Sequence, residues 1–430
     1  MPARLSDAIR AAVWAAPLAV VAGTIAAGYL LRIHYNHKLG APNAPMYWFT
    51  RIDASWWAVL AALVLAASAW VAPRLLRMPR HRFLIHAAAL ALATRVALNM
   101  GRHGPRELAL PLTGPEAPHE YLPSVALFTA DPIGYLRHFP VLVATKLPIH
   151  AAGHPPGPTV LLGAMHALWL GGPWPEAIMI LVVGAATVYP VHLLGRELGG
   201  ELDARLAVLA WLFAPNVLLM SATSMDAVFA FAGTVLAVLI LRMRAIAAGL
   251  MAAVASFLSY ALLAVPVWAV ATLLLRHRPP RSLLRPAAEA AAVALGCYLL
   301  LWLATGYDPH AAYLATRHAY AVGVSRDRPQ WFWFFGDLAT FLLGLGIPGM
   351  ILWSRALARR DAAAVALALV LVIAAGSGYA KAEVERIWLF LLPLAAVSIG
   401  PLLRQARLRP VLLAMVAQAL LVEVLFGTTW

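Results

Sequence analysis

Apolar stretches long enough to cross a membrane recur along the whole chain, divided by short polar segments. A crossing needs about 20 mostly apolar residues, because each helical residue rises about 1.5 Å. With that ruler the sequence predicts about thirteen crossings, a count read from segment length. They centre on 12–32, 55–73, 83–101, 178–195, 205–220, 226–242, 246–259, 260–275, 287–304, 333–354, 362–378, 387–403 and 410–428. The expected fold class is all-α, a polytopic membrane protein with short juxtamembrane helices in its first large loop. The run at 12–32 does not read as a cleaved leader, since it is long, ends in Arg32 and is followed closely by another span. The segment 157–172 is apolar but short and bounded by Gly and Pro, so it reads as a partial or interfacial helix.

Composition agrees with this pattern. Of 430 residues, 62% are apolar and 12% charged, with a mean hydropathy of +0.78. A soluble domain has about a quarter of its residues charged. A water-soluble enzyme, a disordered chain and a disulfide scaffold are thereby excluded, and the single Cys297 allows no internal disulfide.

The net charge of +14 changes the picture once it is sorted by side. With a cytoplasmic N-terminus and alternating spans, the inner segments carry twenty basic residues against five acidic ones. The outer segments carry twelve of each, and Arg95, Glu289 and Glu423 lie in or near spans. Basic residues are retained on the cytoplasmic side, so the charge reports orientation and gives no reason to expect nucleic acid. One uninterrupted helix over 245–276 would break this alternation, whereas two short spans divided near Ser259–Tyr260 preserve it. The implied organisation is an N-terminal pair of spans (1–82), a central unit (83–245) with an outer loop at 102–175, and C-terminal spans (246–430) with an outer loop at 305–332. The expected location is a bacterial plasma membrane, with the functional face on the extracytoplasmic side.

Most of the chemically suggestive residues lie on that outer face. The first outer loop carries His119, Glu120 and Tyr121, then an amphipathic stretch, FTADPIGYLRHFPVLVATKLPIH, containing Asp131, Arg137 and Lys146. Phe128, Tyr135, Phe139, Leu142 and Leu147 fall near helical spacing, as in a helix lying at a membrane interface. His150 and His154 follow, just before Pro155–Pro156. Their spacing can hold a metal on a helix, although the prolines oppose helicity there. Histidines also occur in interfacial loops without any chemical role. Asp226 starts a span and is either a helix cap or a functional acid. The loop 307–330 mixes aromatics with Arg317, Arg326 and Arg328, and a basic cluster of that kind suits a phosphate group. Lys381, Glu383, Glu385 and Arg386 crowd the start of a span, which is costly unless they are paired or functional. Arg95 within a span poses the same question, with snorkelling or pairing to an acid as the structural alternatives.

An ordered subset of these features resembles the GT-C superfamily of integral-membrane glycosyltransferases. A span (83–101) leads into the outer loop with His119-Glu120-Tyr121, then to His154-Pro155-Pro156-Gly157 and a short apolar segment. The next span ends in LGRELGG, and a further one ends with Pro215 and a polar turn reaching Asp226. The resemblance covers roughly 83–245, with 12–73 as an addition before it. It implies a sugar donor on a polyprenyl phosphate, a hydroxyl acceptor, inverting transfer, and an outer-loop acid as general base. Glu120 best matches that acid, with Asp131 as the alternative, and Asp226 resembles the second outer acid. A divalent cation is a candidate cofactor, with Glu120, His150, His154 and Asp226 as its candidate ligands.

The chemistry itself makes the same demands. Inverting transfer needs a base on the face opposite the leaving phosphate. The departing phosphate needs cations, for which Lys381, Arg386 and Arg326 are favoured. His119, Tyr121, Arg137, Lys146, His150, His154 and Glu385 complete the substrate-binding candidates. The partners expected are the polyprenyl-phosphate sugar, an acceptor that is protein, glycan or lipid, and the surrounding membrane lipid. Two other readings stay open: a transporter or flippase of polyprenyl-linked lipids or glycans, and a glycan polymerase or ligase using a prenyl-diphosphate donor. No internal repeat supports the transporter.

The orientation is directly testable by cysteine labelling in a Cys297→Ser background. Glu116→Cys is expected to react with a membrane-impermeant maleimide in intact cells, and Arg407→Cys only after permeabilisation. The reverse pattern would invert the topology.

Overall fold

The structure, a computed structural model, describes residues 7–35, 38–53 and 55–428. Residues 1–6 of the N-terminal pair of spans lie outside the described residues. Among the described residues the chain is helical nearly throughout, and one two-stranded sheet pairs Phe49–Thr50 with Phe426–Gly427.

Among the described residues, six helices are long and apolar enough to cross a membrane: Ala15–Ile33, Trp56–Leu75, Pro173–Gly199, Pro280–Thr305, Val384–Leu403 and Leu408–Leu425. Two bent pairs bring the number to eight if each is one span. Arg80–Asn99 turns by 103° into Gly104–Thr113, and Gln330–Gly344 turns by 109° into Ile347–Ala358. The second bend falls inside the crossing expected at 333–354. Gly346 takes a left-handed φ of +78° there and Pro348 starts the next helix, which together allow the sharp turn. Asp226–Leu241, Ala245–Leu258, Tyr260–Leu275 and Ala362–Ser377 are shorter apolar helices. The crossing expected at 205–220 is divided by Pro215 into Glu201–Leu212 and Pro215–Met220.

Burial divides these helices into a centre and a periphery. Val384–Leu403 is almost wholly enclosed, as are Glu201–Leu212 and Asp226–Leu241. Gly400 permits the close approach at this centre, since a Cβ there would meet the Asp203 carbonyl oxygen at 2.7 Å and the Ala207 nitrogen at 2.8 Å. Small residues at such contacts let helix backbones approach closely where lipid gives no hydrophobic drive. At the periphery, Pro280–Thr305 leaves Leu295, Leu299, Leu300 and Leu303 open, each more than half exposed. An apolar helix uncovered by protein has the surface that suits hydrocarbon. Arg95 neither snorkels nor meets an acid. It is fully buried, donates to Ser221 Oγ and to the Ala91 carbonyl, and lies 4.8 Å over the Trp211 ring.

Contacts between loops define two ends. At one, which is basic, Arg242 pairs with Glu197 at 2.7 Å, Arg404 with Asp203 at 2.5 Å, and Arg276 donates to the Leu198 carbonyl at 3.0 Å. Arg205 joins this end through the Leu76 and Met78 carbonyls at 3.0 and 2.6 Å. At the other, Ser55 Oγ donates to the Gly101 carbonyl at 2.9 Å, and the Tyr47 N–H donates to Glu385 at 2.9 Å. One cavity at this end gathers residues from 147–154, 259–261, 316–328 and 379–387. The grouping of loops follows the division by charge. Within 245–276 the helix breaks at Ser259, which reaches the neutral end, while Arg276 is back at the basic one.

The N-terminal helices are built into the bundle. Asp7–Ile33 packs on Gln330–Gly344 and Ile347–Ala358, and Trp56–Leu75 on Arg80–Asn99 and Leu408–Leu425. Arg102 then ties the loop after Arg80–Asn99 to the segment 423–428. It pairs with Glu423 at 3.2 Å and donates to the Phe426 and Thr428 carbonyls at 2.6 and 3.1 Å, with both charged partners buried. Removing one member of such a pair strands the other, at a cost of about 3–5 kcal/mol. Arg102→Ala is expected to lower the Tm of the detergent-solubilised protein markedly. Adding Glu423→Gln should recover part of the loss, and an unchanged Tm in the single variant would refute the role of this tie.

Candidate active site

The His154-Pro155-Pro156-Gly157 element shapes the floor of the site. The short helix Ile149–Gly153 ends at His154, whose extended backbone leads through the two prolines into Gly157–Ala167. Proline suits this position because it lacks the N–H that a helix start leaves unpaired. Gly157 docks against the end of Ala245–Leu258, where an added Cβ would sit 2.1 Å from the Phe257 carbonyl oxygen. At 11 residues, Gly157–Ala167 is too short to cross a bilayer, in keeping with a partial helix. The preceding amphipathic stretch is not one helix. It forms Leu122–Ala130, Pro132–Arg137 and Phe139–Thr145, each new start carrying a proline in its first turn. Phe128, Tyr135, Phe139 and Tyr307 still stack edge to face along it, with centroids 5.6 to 6.4 Å apart.

Above this floor is a cavity of about 480 Å³, within the size range of small-molecule sites. His150 and His154 line it from the segment 147–154, and Tyr260 from the break between two helices. Arg317 and Tyr320 come from helix Pro309–Val322 and Arg328 from the turn after it, Tyr379 and Glu383 from the segment before Val384, and Arg386 from the short helix Val384–Ile387. His150 Nδ1 lies 3.1 Å from Glu120 Oε1, and both side chains are buried. Glu120 itself stands behind His150 and reaches the cavity through it. Tyr121 packs beside the pair, 6.1 Å from the His150 ring and 5.8 Å from that of His154. Burial, with Asp226 and Glu120 nearby, raises the Tyr121 phenol well above its ordinary range, so it stays neutral. His154 stacks on Phe229 at 5.3 Å. Its burial, together with Arg386 and His150, pushes the imidazole down to about 3, so this ring too is neutral.

The charged side of the cavity is a chain of ion pairs. Asp226 Oδ2 accepts from Ser224 Oγ at 2.7 Å and from Arg386 Nη1 at 3.2 Å. Arg386 Nη2 reaches Glu383 Oε2 at 3.2 Å, and Glu383 Oε1 accepts from Arg328 Nη2 at 2.7 Å. Burial drives the Glu383 carboxyl upward, but Arg386 and Arg328 outweigh it and hold it below the ordinary carboxylate range. Arg328 is fixed further by the Lys381 and Gly40 carbonyls at 2.6 and 3.2 Å. Ala382 and Glu383 both take left-handed backbone, at φ of +63° and +59°. That conformation costs non-glycine residues roughly 1–2 kcal/mol each. The turn is sustained by the Ala382 N–H donating to Asp337 at 3.1 Å and the Lys381 N–H donating to the Tyr320 hydroxyl at 2.7 Å.

Several expected residues lie elsewhere. Asp131 is exposed and caps Pro132–Arg137, accepting from the Gly134 N–H at 2.8 Å. His119 is exposed and pairs with Glu116 at 3.3 Å. Arg137 and Lys146 are exposed, as is Arg326, which borders a separate shallow recess with Lys38. Lys381 turns back to donate to the Arg328 carbonyl at 3.1 Å. Glu385 faces away from the cavity, with its carboxylate on the Tyr47 N–H and its carbonyl accepting from Asn216 at 3.0 Å. Asp226 anchors Arg386 and does not serve as the cap of its helix, which is Met225. Among the described residues, no three His, Cys, Asp or Glu side chains form a group that could hold a metal, so Glu120, His150, His154 and Asp226 do not assemble as a ligand set. The pairing of Arg328 with Glu383 was beyond sequence reasoning. Its trace was the recurrence of basic residues in one loop and acids in the other.

No family model, curated protein or solved structure matches this chain.

The glycine of the floor gives a direct test. In Gly157→Ala the new methyl would meet rigid backbone, and overpacking of this kind costs about 1–3 kcal/mol. A lower Tm is expected, with Gly153→Ala as the control, since a Cβ at Gly153 meets nothing within 4 Å. Equal stability of the two variants would refute the close docking.

Proposed function

We propose that the protein is a glycosyltransferase moving a sugar from a polyprenyl-phosphate donor to an acceptor hydroxyl, with a GT-C-like arrangement of about thirteen crossings by segment length. The neutral end faces outward in this reading, and the N-terminus is cytoplasmic. The observation that carries it is a single cavity uniting a buried Glu120–His150 pair with Arg317, Arg328 and Arg386. A base and a cluster of cations are the two things that displacement of a phosphate by a hydroxyl requires.

In the proposed reaction the acceptor oxygen forms a bond to the anomeric carbon while the bond from that carbon to the phosphate oxygen breaks. The electron pair leaves with the polyprenyl phosphate, whose charge falls beside the guanidinium groups. The acceptor proton passes to the Glu120–His150 pair at His150, the member that lines the cavity. Glu120 orients the imidazole and stabilises its protonated form, as a carboxylate does behind a histidine base. Tyr260, Tyr320 and Tyr379 supply aromatic surface for the sugar and the first isoprene units.

Purified protein offered a panel of prenyl-phosphate sugars should release prenyl phosphate. Glu120→Gln is expected to lower kcat by about 10²–10⁴-fold, because the His150 base loses the carboxylate that orients it and stabilises its protonated form, while the protein remains folded in detergent. Full activity in Glu120→Gln with loss in Asp131→Asn would move the base to Asp131. Full activity in both variants would end the mechanism.

A further inference from the structure

Glu383 holds a position in the cavity that a phosphate would suit. Its two oxygens are divided between two guanidinium groups, Oε1 on Arg328 Nη2 at 2.7 Å and Oε2 on Arg386 Nη2 at 3.2 Å. All three side chains line the cavity. An anion that gives one oxygen to each of two guanidinium groups could be a carboxylate or a phosphate.

Each arginine is also held without Glu383. Arg386 donates through Nη1 to Asp226, and Arg328 donates through Nη1 and Nε to the Lys381 and Gly40 carbonyls. Both Nη2 atoms would therefore stay aimed at the same point if the carboxylate swung aside. The backbone beneath Glu383 is likewise fixed from behind, through Asp337 and Tyr320, so that movement need involve only the side chain.

The geometry points to Arg328 and Arg386 as the binding site for the donor's phosphate, with Glu383 as an internal stand-in that occupies the site until a phosphate displaces it. The prenyl-linked nature of that phosphate rests on the transferase reading, but the anion site does not. Glu383 is thus a positioning residue. It keeps two buried guanidinium groups compensated in the empty protein, at the expense of affinity for the ligand that must displace it.

Binding of farnesyl phosphate to the full-length protein in detergent tests this, with farnesol and inorganic phosphate as comparison probes. Glu383→Gln removes the competing charge and keeps the shape, so farnesyl phosphate should bind about tenfold more tightly, the effect of losing a charge-assisted competitor. A purely structural role would instead weaken binding along with the fold. Should that variant fail to fold, Glu383→Asp, one methylene too short to span both arginines, is expected to tighten binding as well. Farnesol affinity should stay constant, and Arg328→Lys should weaken farnesyl phosphate binding. Tightening seen with inorganic phosphate to the same degree would support the anion site for free phosphate and remove its lipid-linked assignment. Equal or weaker farnesyl phosphate binding in the folded Glu383 variant overturns the proposal. A protein that binds farnesyl phosphate as expected but releases none from any sugar donor loses the transferase reading and keeps the site.

Discussion

Arg386 is the charge around which the neutral end of the molecule is organised. It lies at the start of the most enclosed long helix, where an uncompensated guanidinium would be prohibitive, and it meets Asp226 on one side and Glu383 on the other. Asp226 begins a second buried helix, and Glu383 passes the constraint on to Arg328 in a third region of the chain. Three distant segments are thereby locked in register by charges that cannot be left alone. Two of them, the segments of Arg328 and of Glu383–Arg386, line the cavity together with residues from 147–154 and 259–261.

The same requirement explains why the N-terminal helices are integral. The segment 38–53 gives the Gly40 carbonyl to Arg328 and the Tyr47 N–H to Glu385, and the Tyr47 ring lies 5.4 Å beneath the Arg328 guanidinium. A region that the sequence marks as an addition to the core thus supports the charged side of the site from behind. Support of this kind holds side chains to the accuracy that chemistry needs.

Much of the architecture could be read from the order of residues. The apolar runs, the break at Ser259, the partial helix after Gly157 and the division of loops into a basic and a neutral end all follow from local pattern and charge. In the site, His150, His154, Glu120 and Arg386 were legible as chemically loaded residues on one face. Their roles were less so. Asp131 and Glu120 are both acids of one loop, yet one caps an exposed helix turn and the other is buried against His150. Glu383 and Glu385 are two residues apart, but the left-handed backbone at 382–383 turns the first to the cavity while the second faces the N-terminal segment.

The sequence by itself determined the helical class, the positions of most apolar helices and the grouping of polar loops. Those properties depend on hydrophobic length and on summed charge, which are local and additive. Only the tertiary structure decided which charges neutralise one another and which side chains reach the cavity. A buried ion pair depends on atoms brought within about 3 Å from far-separated segments, and no spacing along the chain encodes that distance. The neutral end has no net charge, and the fold makes that balance specific by joining Arg328, Glu383, Arg386 and Asp226 into one connected chain.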